Sequence, residues 1–465
     1  MSIPRLASAV AALALVPAGP AAAAPPWSPP LTITAGIPQI SQPTIGFGSS
    51  GRAVLSARLS TQAQGVPSHG FTRLFGQQPD GSFAGRARLV LAAPPAPYGS
   101  TRLALLRVPL AKGDETIKGL DRPDATSLGY TYGRSGGALE VDVGAYHRLT
   151  TRADRHSAAI AANPRGDVIA VWVEHLGGRD HLVAAVRRAG GAFGRPAVLA
   201  GSGYVTSPAV AVGGNGDLLV SYQRSVPRRG HAPDRRVEAR VRRAGHSWGA
   251  PQRLGDSTGF SDISAAAAPD GRMVVAWGTQ DIGEEANTPW IVRAAIRDGG
   301  PHVFHSARGL ETSEGIERPA GRVAASIGRD GVVTVAWSGI VGTRYPHLFP
   351  ARAATAPAGD FRFAAIQTLA PSAAVGDVVT TADGAAFVVW ATLPEVGNNQ
   401  TSDQVFASVR PAGAPAFSAT EEVGPAERAT LPRAAVDPLT QRPAVVWVAR
   451  PQAGSQLLRF AARTG

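Results

Sequence analysis

Four segments of the chain repeat one arrangement of polar turn and apolar run: "AANPRGDVIAVW" (161–172), "AAAPDGRMVVAW" (266–277), "SIGRDGVVTVAW" (326–337) and "TTADGAAFVVW" (380–390). Aligned on the turn residue, the sixth residue onward is Trp172, Tyr222, Trp277, Trp337, Trp390 and, in a Pro-containing variant, Trp447. Weaker copies place Ala57 after Gly51 and Leu105 after Gly99, so the eight anchors are spaced by 48 to 67 residues. Between turn and anchor nearly every position is apolar and many are β-branched. Alternation is missing, which predicts strands buried on both faces. The segment before each turn is rich in small residues, as in "SAAIAAN", "SPAVAV" and "ISAAAA", and predicts a strand in a crowded position.

A second repeat follows each anchor by about 20 to 30 residues: an aromatic residue, then an aliphatic one six positions later. Its copies are Phe83 with Leu89, Phe193 with Leu199, Trp248 with Leu254, Phe304 with Leu310, Phe363 with Leu369 and Phe417 with Val423, and Val143 with Leu149 is a degenerate one. Each unit therefore holds four short strands separated by Gly or Pro. Units of this length, stacked side by side, bury two-faced strands in the manner of a β-propeller. The expected fold is all-β: a single β-propeller of four-stranded blades over residues 25–465, eight in number, or seven if residues 98–150 form a distorted insertion. The last unit ends after "SQLLRFAARTG" without an aromatic outer strand, while Trp27 and Ile33 in "WSPPLTI" carry that spacing at the other end of the chain. Residues 27 to 35 are thus expected to pair with the C-terminal blade and close the ring.

Composition narrows the chemistry. Residues 1–24 hold one arginine, an apolar run and then small residues, the order of a secretory signal peptide that is removed on export. No later stretch is apolar enough for a transmembrane segment, so a secreted or cell-envelope location is expected. The absence of cysteine excludes disulfides, thiolate metal sites and Cys nucleophiles. The net charge of +12 rests almost wholly on arginine, Lys112 and Lys118 being the only lysines. With abundant Ala, Gly and Pro this composition suits a GC-rich bacterial genome, which accounts for the charge without a partner.

The repeats resemble those of secreted bacterial β-propeller proteins of a loosely sialidase-like kind, which read A-V-A-x-x-x-x-G-x-x-x-V-x-W. True Asp-boxes are missing: Asp270-Gly271, Asp330-Gly331 and Asp383-Gly384 are adjacent pairs, read as hairpin turns that need positive φ. The resemblance implies a fold and leaves function to the loops. Loops after the anchors offer Glu174, His175, Arg179, Asp180 and His181, then Gln280, Asp281, Glu284 and Glu285, then Arg344, Tyr345 and His347. A sialidase-type site would need three arginines on a sugar carboxylate with a Tyr–Glu pair, and Arg155, Arg318, Arg433 and Tyr345 stand in suitable segments. The candidate ligand face is therefore Glu174, His175, Arg179, Asp180, Asp281, Glu285, Arg318, Arg344, Tyr345 and His347. No metal site or cofactor is expected, since His175 and His181 match no tight ligand motif. The most basic stretch, residues 222–248 with eight arginines, reads as a long loop running into a strand, with affinity for a glycan or an anionic envelope polymer; export argues against nucleic acid. These readings favour an exported, non-catalytic binding or scaffold module for a carbohydrate or cell-envelope polymer. The alternative is a sialidase-like glycoside hydrolase.

Overall fold

The computed structural model describes residues 26–464 apart from short segments, of which 61–69, 88–104, 123–135, 281–289, 311–317, 341–348 and 393–403 are the longest. These residues form seven antiparallel sheets, five of them four-stranded, an all-β arrangement consistent with a propeller. A representative sheet runs Tyr204–Val212, Leu218–Arg228, His231–Arg242 and Gln252–Asp256 in that order. The second strand of each unit carries the anchor, and Trp172, Tyr222, Trp277, Trp337 and Trp447 are fully buried. Flanking core clusters join each anchor strand to a neighbouring sheet: Tyr222 packs with Ile169, Val171 and Leu182, and Trp277 with Leu219, Val237 and Leu254. The two-faced apolar runs are thus covered on both sides, as expected.

Every turn residue that aligned the repeats, among those described, has positive φ: Gly51, Gly166, Gly216, Gly271, Gly331 and Gly384, with Gln441 standing in their place before Trp447. The aspartate before Gly does a local task, since Asp270 accepts the Arg272 amide at 2.9 Å and Asp330 that of Val332 at 3.1 Å. Aspartates in two of the turns also crowd the turn of a neighbouring sheet. A Cβ on Gly384 would sit 2.4 Å from Asp330 Oδ2, and one on Gly51 would sit 3.0 Å from Asp437 Oδ1. Glycine is required there twice, by backbone and by space.

The degenerate second unit departs from expectation. Leu105 lies in Leu105–Leu110, an end strand of the seven-stranded sheet and not its second strand; Gly99, on which it was aligned, lies outside the described residues. The long strand Tyr146–Ala162 serves two units: its first half pairs with Gly136–Asp142 and its second half with Val168–Leu176. The segments read as loops after two anchors are hairpin strands. Val168–Leu176 pairs with Arg179–Arg187 through Leu176 and Arg179, and Leu218–Arg228 with His231–Arg242 out to Arg228 and His231.

The N-terminal segment pairs with the last sheet. Leu31–Ile37 runs antiparallel to Gln456–Ala462, and Trp27 bridges Arg463 just as Phe193 bridges Arg187 and Trp248 bridges Arg242. Trp27 is buried, its indole donating to Glu421 at 2.9 Å, while Arg463 pairs with the same carboxylate at 2.9 Å. In two other sheets the residue in the Glu421 position is glutamine: Gln252 both donates to the Phe304 carbonyl and accepts its amide, and Gln367 does the same for Phe417. A carboxylate replaces the amide at this one place because its partners are two donors.

Arginines tie the ends of the sheets that carry the glycine turns. Arg187, Arg242, Arg297 and Arg410 occupy equivalent positions at the ends of third strands, across from Val168, Leu218, Met273 and Ala386. Each donates to a carbonyl of the following turn, at Gly191, His246, Gly300 and Ala414. In one sheet the position is Ala356, across from Val333. There Arg272 crosses from the preceding sheet to the carbonyls of Gly331, Pro357 and Asp360.

Trp27→Ala is expected to cost about 3–5 kcal/mol, the range for deleting a buried large aromatic, measured by denaturant unfolding; deleting residues 25–36 should lower the melting temperature further. An unchanged melt would show that the seam contributes nothing. Arg272→Met leaves three carbonyls without their charged donor and is expected to cost on the order of 3 kcal/mol, more than the same change at the exposed Arg243 in parallel melts.

Candidate functional site

The end of the sheets that carries the second-to-third-strand hairpins was the expected ligand face. Glu174, His175, Arg179 and Asp180 belong to one hairpin, in which His175 faces Asp180 and Glu174 faces His181 across the strands. Glu174 accepts the Trp172 indole N–H at 2.8 Å, so it anchors the core of its own sheet. Asp180, expected as a ligand-facing group, is 1 % exposed and accepts the Val205 amide of the next sheet at 3.0 Å. The equivalent Ile40 amide is taken by Gln456 Oε1, and that of Ala373 by the Phe349 carbonyl at 2.7 Å. Asp180 is therefore one of three solutions to a single problem, the unpaired edge of an innermost strand. Arg179 is exposed. Arg318 pairs, by its backbone, with Ile340 in the strand Arg318–Pro319. The side chains of His175 and Arg318, and all of Asp281, Glu285, Arg344, Tyr345 and His347, lie outside the described residues.

The sequence reading missed a charged cluster on the hairpin of Leu218–Arg228 and His231–Arg242. Tyr222 stands where other units have Trp, and directly across from it is Glu238, 3 % exposed. The Tyr222 hydroxyl donates to Glu238 Oε2 at 2.8 Å, Arg236 Nε lies 2.6 Å from Oε1, and Arg224 Nη1 lies 3.4 Å from Oε2. Asp234 pairs with Arg236 and with Arg253, both at 3.4 Å, and Arg253 also holds Asp256. Three carboxylates and three guanidinium groups thus balance. The signal was present in the one tyrosine anchor: a phenol hydroxyl buried in a core requires an acceptor.

The electrostatics of this cluster are those of a strut. Burial, and then the adjacent Glu238 charge, push the Tyr222 hydroxyl well above its ordinary value of 10.0. A phenol that serves as a nucleophile is activated by an adjacent base or a lowered pKa and must also reach its substrate, and Tyr222 is fully buried. The basic stretch also holds less free charge than its composition suggests, because Arg224 and Arg236 face carboxylates while Arg240 and Arg242 donate to the carbonyls of Gly249 and His246. Among the described residues no three His, Asp or Glu side chains converge as a metal site, and no helix is long and apolar enough to cross a membrane.

Neither the known protein families nor the curated proteins contain a match to this sequence. Solved structures are similar at low identity. A protein of unknown function from Dyadobacter fermentans shares 12 % identity over 66 % of this chain and 93 % of its own, with a TM-score of 0.41. The K499G mutant of NanB sialidase from Streptococcus pneumoniae shares 11 % over 94 % of this chain and 70 % of its own, also at 0.41. The polysaccharide lyase Uly1 shares 11 % over 79 % and 91 %, at 0.44.

Because the phenol is held neutral by folding, its stabilisation is complete below pH 10.0 and is lost as pH rises through the raised folded value. Tyr222→Phe should therefore lower stability at neutral pH by about 1–3 kcal/mol, through the acceptor left short of a donor. It should also flatten the alkaline limb of the stability profile, which thermal melts across alkaline pH would record.

Proposed function

We propose that the chain is an exported, non-catalytic binding or scaffold module, an eight-bladed β-propeller closed by its N-terminal strand, whose ligand is a carbohydrate or cell-envelope polymer. One observation carries the non-catalytic reading. At the centre of the Tyr–Glu–arginine constellation Tyr222 and Glu238 are buried, and arginines balance the acids around them, so the pair ties the strands of its sheet out of a substrate's reach. Glu174 and Asp180 are committed in the same way. Among the described residues, this end presents to solvent an aromatic ring at Tyr204 and the guanidinium groups of Arg179 and Arg235, groups suited to holding a polar ligand.

The count of eight is supported by the double use of Tyr146–Ala162, which supplies an outer strand to one unit and an inner strand to the next. It is also supported by the contact of Leu105–Leu110 with both Gln39–Phe47 and Tyr146–Ala162, the place an extra innermost strand would take. Export is supported by the order of charged, apolar and small residues in 1–24, and location in the envelope or medium follows from it.

The test is hydrolysis of a panel of fluorogenic glycosides and sialosides by the purified chain lacking residues 1–24, beside retention of the same protein in gels cast with individual polysaccharides. Retention without turnover is the expected result. Turnover abolished by a single alanine replacement that leaves the melt unchanged would overturn the reading and favour a glycoside hydrolase.

A further inference from the structure

The two faces of the long hairpin differ in charge, and the difference points to a ligand. Side chains directly opposed in an antiparallel pair share one face of the sheet. On one face lie Arg224, Tyr222, Asp234, Arg236 and Glu238, with Asp256 opposite Arg236, where the acids meet their arginines. On the other face a single row crosses three strands: Tyr204 opposes Ser225, which opposes Arg235. The row below it is Thr206, Gln223 and Val237, with the Thr206 hydroxyl 3.3 Å from Gln223 Oε1. Neither row contains a carboxylate. Arg235 is exposed, and no carboxylate among the described residues pairs with it.

Backbone geometry holds the aromatic end of this row in place. Gly203 has φ +89, and a Cβ there would lie 2.4 Å from the Ser225 carbonyl oxygen. On the other side of Tyr204, Ser207 has φ 51, where the innermost strand bulges between Thr206 and Ala209. Left-handed backbone at a serine persists only where its surroundings impose it, and bulges re-aim neighbouring side chains. Tyr204 is 41 % exposed, so a ring of this size is held at the surface by two constrained residues. With strands about 4.8 Å apart, the backbones of Tyr204 and Arg235 are separated by about 10 Å, with Ser225 between them.

We propose that Tyr204, Ser225 and Arg235 form a subsite for a carboxylate-bearing pyranose of an acidic polysaccharide. The inference rests on the reading of the protein as a glycan-binding module. The flat C–H face of the sugar lies on the Tyr204 ring, the Ser225 hydroxyl meets a ring hydroxyl, and the Arg235 fork takes the carboxylate through two parallel N–H bonds. The Arg235 cation, which no carboxylate among the described residues pairs with, selects an acidic sugar over a neutral one.

The test measures retention of the chain lacking residues 1–24 in gels of polygalacturonate and of neutral dextran, for the unmodified protein and for Tyr204→Ala, Arg235→Ala and Arg243→Ala. Binding to polygalacturonate and not to dextran is expected. Loss of about tenfold or more in affinity is expected in each of the first two variants, as for a lost charged hydrogen bond or aromatic platform. Arg243→Ala, an exposed arginine at the opposite end of the sheet, should change little. Unaltered melting curves show that all variants fold. If the unmodified protein binds polygalacturonate and Tyr204→Ala binds as well as it does, or if both arginine variants weaken it equally, the subsite is wrong while the glycan-binding reading stands. If the unmodified protein binds no polysaccharide at all, that reading fails and the subsite with it.

Discussion

The structure depends on one constraint: the second strand of each unit is apolar on both faces and has to be covered twice. A single sheet covers neither face, so each unit is stable only between two neighbours. The buried aromatic at the end of that strand fills the space between sheets, and small residues follow from its size. Gly255 lies against Trp277 and Gly424 against Trp447, where a Cβ would come within 2.9 and 2.5 Å of the indole.

Stacking leaves polar debts at both ends of the sheets, and their settlement accounts for many of the polar residues. Innermost strands have one unpaired edge, and it is met from a neighbouring sheet by Asp180, Gln456, the Ser338 hydroxyl on the Val375 amide, or the Phe349 carbonyl. Turn carbonyls at the other end are met by arginine forks, whose several donors reach two or three oxygens at once. Burial lowers the pKa of Arg272, Arg297 and Arg410, and carbonyl acceptors offset part of the cost of placing a cation there. A good share of the arginine content is thus structural, which leaves less of the positive charge for a partner than net charge alone implies.

The same logic separates the functional candidates. Tyr222, Glu238, Glu174 and Asp180 have the chemistry of catalysts, but each has a structural partner that takes up its reactive capacity. No carboxylate among the described residues pairs with Arg235, and it stands with the exposed Tyr204 ring on the face of the hairpin whose described rows hold no acid. A binding surface is therefore distinguished from a strut by which face a residue occupies, which alternates with every position along a strand.

Much of the architecture was legible in the chain. Positive φ at the turns, burial of the anchors, and the pairing of the Trp27 segment with the last strand all follow from local patterns: a glycine before an apolar run, absence of alternation, and an aromatic-to-aliphatic spacing displaced to the other end of the chain. The misplacement of Leu105 has the same origin, since its unit carries no strong anchor to fix the alignment. The site was less legible. Nothing local distinguishes Asp180 from a ligand-facing acid, because its partner is the Val205 amide of another sheet; and the eight arginines of residues 222–248 read as one basic patch until pairing sorts them onto two faces. Sequence by itself determined which residues turn and which are buried, because those depend on neighbours along the chain. Which charged groups are spent and which remain free was decided by tertiary structure alone, because a charge is neutralised by whatever lies beside it in space.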